Sequence, residues 1–195
     1  ENNQIHKANL SESNLQGIND ILPEEDGSIW LATENGPAYI KAAVLNNCKT
    51  QPIDLKKYIL PDWLSQNDNQ DVRRATYITK APDGTIFISN FYEIYRYENN
   101  HITLLFSERN IENNFTIFAV FPISRNKIYF NEAKLGMHKI ENGTITPIPF
   151  KQLYRPAASF SSPFYWYAGG SGFYKFYPLE ETVTFYFNTF DIDVT

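Results

Sequence analysis

The residue types that do chemistry are present in this chain, but their spacing argues against most of the chemistry they could do. Gly170-Ser171-Gly172 places a hydroxyl between two glycines. A nucleophile elbow needs a strand, a sharp turn and a helix around its serine, whereas this triplet separates two β-rich segments and reads as a hairpin loop. His6, His101 and His138 lack the short ligand spacing of zinc sites. The run from Asn67 to Asp71 lacks the central glycine and closing glutamate of a calcium loop. No catalytic constellation, metal site or cofactor is therefore expected. What remains is a set of aromatics and arginines between the predicted strands: Trp63, Phe91, Tyr92, Arg109, Tyr154 and Arg155. Aromatic faces suit sugar rings and the arginine fork suits acidic groups, so these six are the candidate ligand-binding residues. Trp63 has a plainer alternative, as the core of its own segment.

A repeat must position these residues. Asp26-Gly27-Ser28-Ile29-Trp30-Leu31-Ala32-Thr33 is echoed by Asp83-Gly84-Thr85-Ile86-Phe87-Ile88-Ser89-Asn90, by Arg125 to Asn131, and by Ser162 to Gly169. Each copy joins a tight turn to a β-rich strand, and a second strand follows at Ala38 to Lys41, Ile94 to Tyr97, Met137 to Ile140 and Phe173 to Phe176. Taking Ile29, Ile86, Ile128 and Tyr165 as equivalent, the copies lie about 57, 42 and 37 residues apart, near the roughly 40 to 50 residues of propeller blades. The recurring aromatics Trp30, Phe87, Tyr129 and Trp166 are expected to pack between neighbouring sheets.

Each unit divides into four short strands. The first reads as Gly17 to Pro23, Ser28 to Thr33, Pro37 to Ala42 and Cys48 to Ile53; the last as Ala157 to Ser161, Tyr165 to Ala168, Gly172 to Tyr177 and Thr182 to Phe187. Asp26-Gly27, Asp83-Gly84, Glu98-Asn99-Asn100 and Glu141-Asn142-Gly143 supply the positive-φ turns that hairpins require. The fold class expected is all-β, a β-propeller of four-stranded antiparallel blades, with approximate blades at 15–53, 73–106, 113–150 and 156–187. Residues 54–74 form an insertion in which Asp54 caps a short helix that Pro61 stops, and Asp62-Trp63-Leu64 with Ser65 to Asp71 make a loop. Propellers use about 4 to 8 blades, so about four blades here predict part of a larger propeller.

A net charge of −5 argues against a nucleic-acid partner, which demands a basic face. Lys56-Lys57 and Arg73-Arg74 are only pairs and read as solvated surface. No apolar run approaches the roughly 20 residues of a membrane helix. The single cysteine, Cys48, excludes an intrachain disulfide.

From Leu10-Ser11 to Asn35-Gly36 the chain resembles the two-component regulator propeller repeat. The residues carrying this are Ile18-Asn19-Asp20-Ile21, then Glu25-Asp26-Gly27-Ser28-Ile29-Trp30-Leu31-Ala32-Thr33, then Glu34-Asn35-Gly36. Later copies depart from the pattern, with Phe87 and Tyr129 for the tryptophan and Arg125-Asn126 for Asp-Gly. The resemblance implies the extracytoplasmic sensor domain of a hybrid two-component histidine kinase, periplasmic or extracellular, non-catalytic, recognising a small molecule or oligosaccharide and able to form a homodimer. The alternatives are an extracellular propeller enzyme acting on polysaccharide, a glycoside hydrolase or lyase, and a passive protein-interaction propeller.

Overall fold

A computed structural model describes residues 17–47, 52–66, 73–108, 116–132, 136–149, 154–157, 164–169 and 172–187. The chain divides into two compact units, Glu1–Ile78 and Thr79–Thr195. In the first, strands β1 (Ile18–Pro23), β2 (Ile29–Thr33) and β3 (Gly36–Ile40) form an antiparallel sheet in chain order. The turn into β2 follows from its side chains: Asp26 accepts from the Ser28 backbone N–H at 2.8 Å and from its hydroxyl at 3.0 Å, and Gly27 takes φ +84°.

The first sheet corrects one expectation. Its third strand stops at Ile40 and gives way to a short helix α1 (Ala42–Asn46). The fourth strand expected from Cys48 to Ile53 lies largely outside the described residues, at 48–51; Ile53, at its end, takes part in a β-bridge. The insertion instead borders β3, with a bridge between Ala38 and Ile59 and a bond from Leu60 N to Pro37 O at 3.0 Å. Asp54 does cap a 3-10 helix, Leu55–Tyr58, accepting from Lys56 N at 3.2 Å. Pro61, however, opens a second helix α2 (Pro61–Gln66) that includes Asp62, Trp63 and Leu64. Proline fits a first helical position, where its missing N–H has no partner to lose.

The remaining strands form three four-stranded antiparallel meanders. The second sheet is β4 (Tyr77–Lys80), β5 (Ile86–Ser89), β6 (Glu93–Glu98) and β7 (His101–Ser107); the border between units falls inside β4. The third is β8 (Ile117–Ser124), β9 (Lys127–Glu132), β10 (Gly136–Glu141) and β11 (Thr144–Pro147). The fourth is β12 (Tyr154–Ala157), β13 (Tyr165–Gly169), β14 (Gly172–Tyr177) and β15 (Thr182–Phe187). Strand β12 lies earlier than the expected Ala157 to Ser161, of which 158–161 lie outside the described residues. The hairpins β6–β7 and β10–β11 turn on Asn99 and Asn100 (φ 50° and 61°) and on Asn142 and Gly143 (φ 52° and 80°), the paired positive φ values of the tight turn that matches strand twist.

Within the second unit the sheets pack face to face. Phe87, Ile94 and Phe106 of the second sheet meet Val120, Ile128, Phe130 and Ile140 of the third. The opposite face of the third, with Ala119, Phe121, Tyr129 and Met137, meets Tyr165 and Phe176 of the fourth. Strand alternation explains the division: on β9, Ile128 and Phe130 point one way and Tyr129 the other. The third sheet thus has a leading face turned to the second sheet and a trailing face turned to the fourth. Phe87 and Tyr129 occupy equivalent trailing positions and are 1% and 0% exposed, as the aromatic repeat requires.

Candidate ligand-binding loops

The β5–β6 turn presents Phe91 and Tyr92, whose ring centroids are 6.4 Å apart at 70°. Both are half-buried. Beneath them is a buried polar bracket. Asn90 Oδ1 accepts from the backbone N–H groups of Tyr92 and Glu93 at 2.8 and 2.7 Å, and Asn90 Nδ2 donates to Glu93 Oε2 at 3.0 Å. The same carboxylate accepts from Tyr95 OH at 2.5 Å and Ser107 Oγ at 3.0 Å. Asn90 and Glu93 are each 1% exposed, so this carboxylate is buried only because its oxygens are hydrogen-bonded. The bracket fixes the turn backbone and so the roots of the two rings.

The turn is also tied to the connection between the second and third sheets. Phe91 O accepts from Ile117 N and Tyr92 O from Glu108 N, both at 3.0 Å. The aromatic pair therefore sits where the connecting segment leaves β7 and enters β8. Arg109 follows Glu108 directly and lies outside the described residues, so its distance from the pair is not defined. Tyr154 and Arg155 belong to strand β12, not to a loop, and their side chains are likewise outside the described set.

The first unit repeats this arrangement with different residues. Trp63 is fully buried, and its indole N–H donates to Arg73 O at 2.7 Å. Its ring lies against the β2–β3 turn so closely that a Cβ on Gly36 would stand 2.6 Å from Trp63 Cδ1. In this state Trp63 is the core of the insertion. Thr33 Oγ1 donates to Gly36 O at 2.7 Å, and Ala75 N donates to Thr33 O at 2.9 Å. Arg74, at a partly solvated surface as expected, also pairs locally: its Nη2 lies 3.1 Å from Glu34 Oε1 and 3.2 Å from Asn19 Oδ1.

Sequence reasoning missed the bracket and the Arg74 cluster. The signal for the first was a glutamate opening an otherwise apolar strand, Glu93-Ile94-Tyr95, three residues after an asparagine. His138 stacks on Phe130, with ring centroids 5.3 Å apart, as expected of a packed strand residue. The described residues contain no cluster of three or more metal-ligating side chains. No helix among them is long and apolar enough to cross a membrane.

No family model and no curated protein matches the chain. Solved structures do. The extracellular domain of a hybrid two-component system from B. thetaiotaomicron superposes with a TM-score of 0.60 at 13% identity, covering 93% of this chain and 25% of that one. A catalytically inactive virginiamycin B lyase from Staphylococcus aureus, with quinupristin, superposes with a TM-score of 0.55 at 17% identity, covering 89% and 56%. The selenomethionine form of that lyase gives 0.56 at 16% identity, covering 90% and 57%. The four sheets are blades of an all-β propeller. This chain spans only part of the length of each of those structures.

Proposed function

We propose that this chain is the non-catalytic sensing portion of an extracytoplasmic two-component sensor, and that Phe91 and Tyr92 form part of its ligand contact. The observation carrying this is the half-exposed aromatic pair set rigidly on the buried Asn90–Glu93–Tyr95–Ser107 bracket. Contacts for sugar rings are best made by aromatic faces whose orientation is settled before the ligand arrives, because the ordering cost is then small. The likeness to the extracellular domain of a hybrid two-component system supports the sensor reading and a periplasmic or extracellular location. Glycan fragments are the proposed ligand class, and Arg109, next in sequence to Glu108, is proposed as a charged ligand contact. Trp63 acts through the fold of the insertion, and Tyr154 and Arg155, in strand β12, are kept as proposed ligand contacts. Signalling needs only that the ligand prefer one of two states of blade packing or of a homodimer.

Thermal-shift measurement against an oligosaccharide panel tests the reading. A ligand at a hundred times its Kd stabilises by about 2.7 kcal/mol. That shift should vanish in Phe91→Ala and Tyr92→Ala, each compared with its own unliganded melting, since Tyr92 also packs on the core of the second and third sheets. A ligand whose shift survives both substitutions places recognition elsewhere. The likeness to virginiamycin B lyase supports a second reading, a propeller enzyme; sustained glycan turnover by the purified chain would overturn the sensor reading.

A further inference from the structure

The tripeptide Glu-Asn-Gly occurs twice in the chain, as Glu34-Asn35-Gly36 and as Glu141-Asn142-Gly143. An asparagine followed by glycine carries a latent reaction. The glycine backbone nitrogen, once deprotonated, attacks the asparagine side-chain carbonyl carbon, and no side chain on the glycine hinders the approach. Local sequence does not separate the two copies, but the fold does.

Gly36 is a rung of the β2–β3 ladder, paired with Thr33, and its carbonyl accepts from Thr33 Oγ1 at 2.7 Å. It is buried against Trp63, whose Cδ1 would stand 2.6 Å from a Cβ placed there. Closing a five-membered ring between Asn35 and Gly36 would move this backbone against the indole. Gly143 lies beyond its ladder, which ends at the rung between Glu141 and Thr144. Asn142, Gly143 and Thr144 are all exposed, and a Cβ on Gly143 would meet nothing within 4 Å. Asn99-Asn100 isolates the other requirement. It is equally exposed and makes the same kind of turn, with φ 50° and 61° against 52° and 80°. There, however, the attacking nitrogen belongs to a residue with a Cβ, whose Oδ1 accepts from Tyr97 OH at 3.0 Å.

We infer that Asn142 is a modification site, converting without an enzyme to aspartate and isoaspartate, while Asn35 and Asn99 persist as asparagine in the folded chain. The Gly143 nitrogen loses its proton to base and bonds to Asn142 Cγ; the Cγ–Nδ2 bond breaks and ammonia leaves, giving a cyclic imide. Water then opens the ring. Breaking the bond from Cγ to the Gly143 nitrogen gives aspartate, and breaking the bond from the Asn142 backbone carbonyl carbon gives isoaspartate. Either product places a new carboxylate beside Glu141, which already holds Lys127 at 3.5 Å and Lys139 at 3.3 Å. Isoaspartate also adds a methylene to the backbone of a two-residue turn whose geometry needs both φ values positive. All four residues of β11 are exposed, so the hairpin loosens with little loss of core.

Incubation of the folded chain in mildly alkaline buffer, followed by digestion and mass spectrometry, tests this. The Asn142 peptide should gain the mass of hydroxyl over amide and resolve into two chromatographic species. Asn35 should lag by about tenfold or more, since it reacts only through a local opening whose free energy enters the rate exponentially. In guanidinium that protection should vanish and Asn35 should approach the rate of Asn142, whereas Asn99 stays slow in both conditions. An Asn142 that persists in the folded chain, while a synthetic peptide spanning 138–147 converts, overturns the inference. So does an Asn35 that converts as fast as Asn142 in the folded chain. A gap between them that persists in guanidinium would assign the difference to flanking sequence and overturn the role given to the fold.

Discussion

Tyr129 shows how much one polar atom contributes to a blade seam. It is wholly buried, and its hydroxyl donates to Pro178 O at 2.8 Å and faces Glu181 Oε1 at 2.9 Å. Burial foremost, then the Glu181 carboxylate, holds its pKa well above that of an ordinary phenol. Tyr129→Phe keeps the ring but strands a buried carbonyl, and should cost about 1–3 kcal/mol in urea denaturation. Tyr165 is the comparison: burial pushes it up to about 12, and its hydroxyl donates to Pro122 O at 2.7 Å. Two carboxylates, Asp83 exposed and Glu181 half-buried, add a pH dependence. Burial raises the Asp83 pKa, yet the backbone N–H groups of Thr85 and Arg125 outweigh it and hold the carboxyl below its usual value. The hydrogen bond from Lys139, offset in part by burial, does the same for Glu181. A carboxylate depressed in the folded state contributes stability that is present above its unfolded pKa of about 4 and is lost as pH falls through the folded value. The stability difference between wild type and Asp83→Asn should therefore shrink in urea titrations carried below about pH 4. A constant difference from pH 7 to pH 3 would remove the carboxylate from the account. Asp83 was legible in the sequence as a turn former. Its bond to Arg125 N at 2.6 Å joins two blades and was not legible, because it spans 42 residues.

The hairpin turns, the cap at Asp54 and the strands other than the end of β3 and the start of the fourth blade followed from local pattern, since alternation, Asn-Gly turns and a capping aspartate act within a few residues. The insertion was read less well. Pro61 can stop one helix or start another, and the choice depends on Trp63 finding Gly36 and the Arg73 carbonyl, contacts that composition does not disclose. Two glycines separate the effects at work. Gly84 takes φ +90° with nothing within 4 Å of an added Cβ, whereas Gly36 takes φ +123° with Trp63 Cδ1 at 2.6 Å. Gly84→Ala therefore pays backbone strain alone, about 1–3 kcal/mol. Gly36→Ala adds the displacement of Trp63 and should be the more damaging by thermal melting, and it should raise the tryptophan's exposure to acrylamide quenching. Equal losses in the two variants, with unchanged quenching, would mean that the insertion is not seated on the β2–β3 turn through Trp63.

At the scale of the molecule, blade count and strand order followed from the repeat, but the buried bracket did not, because it combines residues that differ from copy to copy. The seams govern how the second unit should come apart. Its third sheet is covered on both faces, by Phe87, Ile94 and Phe106 on one side and by Tyr165 and Phe176 on the other. In repeat architectures stability is close to a sum of unit terms and nearest-neighbour interface terms, and here each interface is an aromatic core. Phe130→Ala opens the seam between second and third sheets, and Phe121→Ala the seam between third and fourth; each should cost about 3–5 kcal/mol. Leu104→Ala, at a site 47% exposed, should change stability by less than about 0.5 kcal/mol. The discriminating readout is native-state hydrogen exchange. Strong seams predict that amides of β5, β9 and β14 exchange through one shared opening, and that Phe121→Ala lowers its free energy in all three strands together. If Phe121→Ala released β14 alone and left β5 and β9 protected as in wild type, the fourth blade would be a separate cooperative unit, and the seam at Tyr129 weaker than its burial implies.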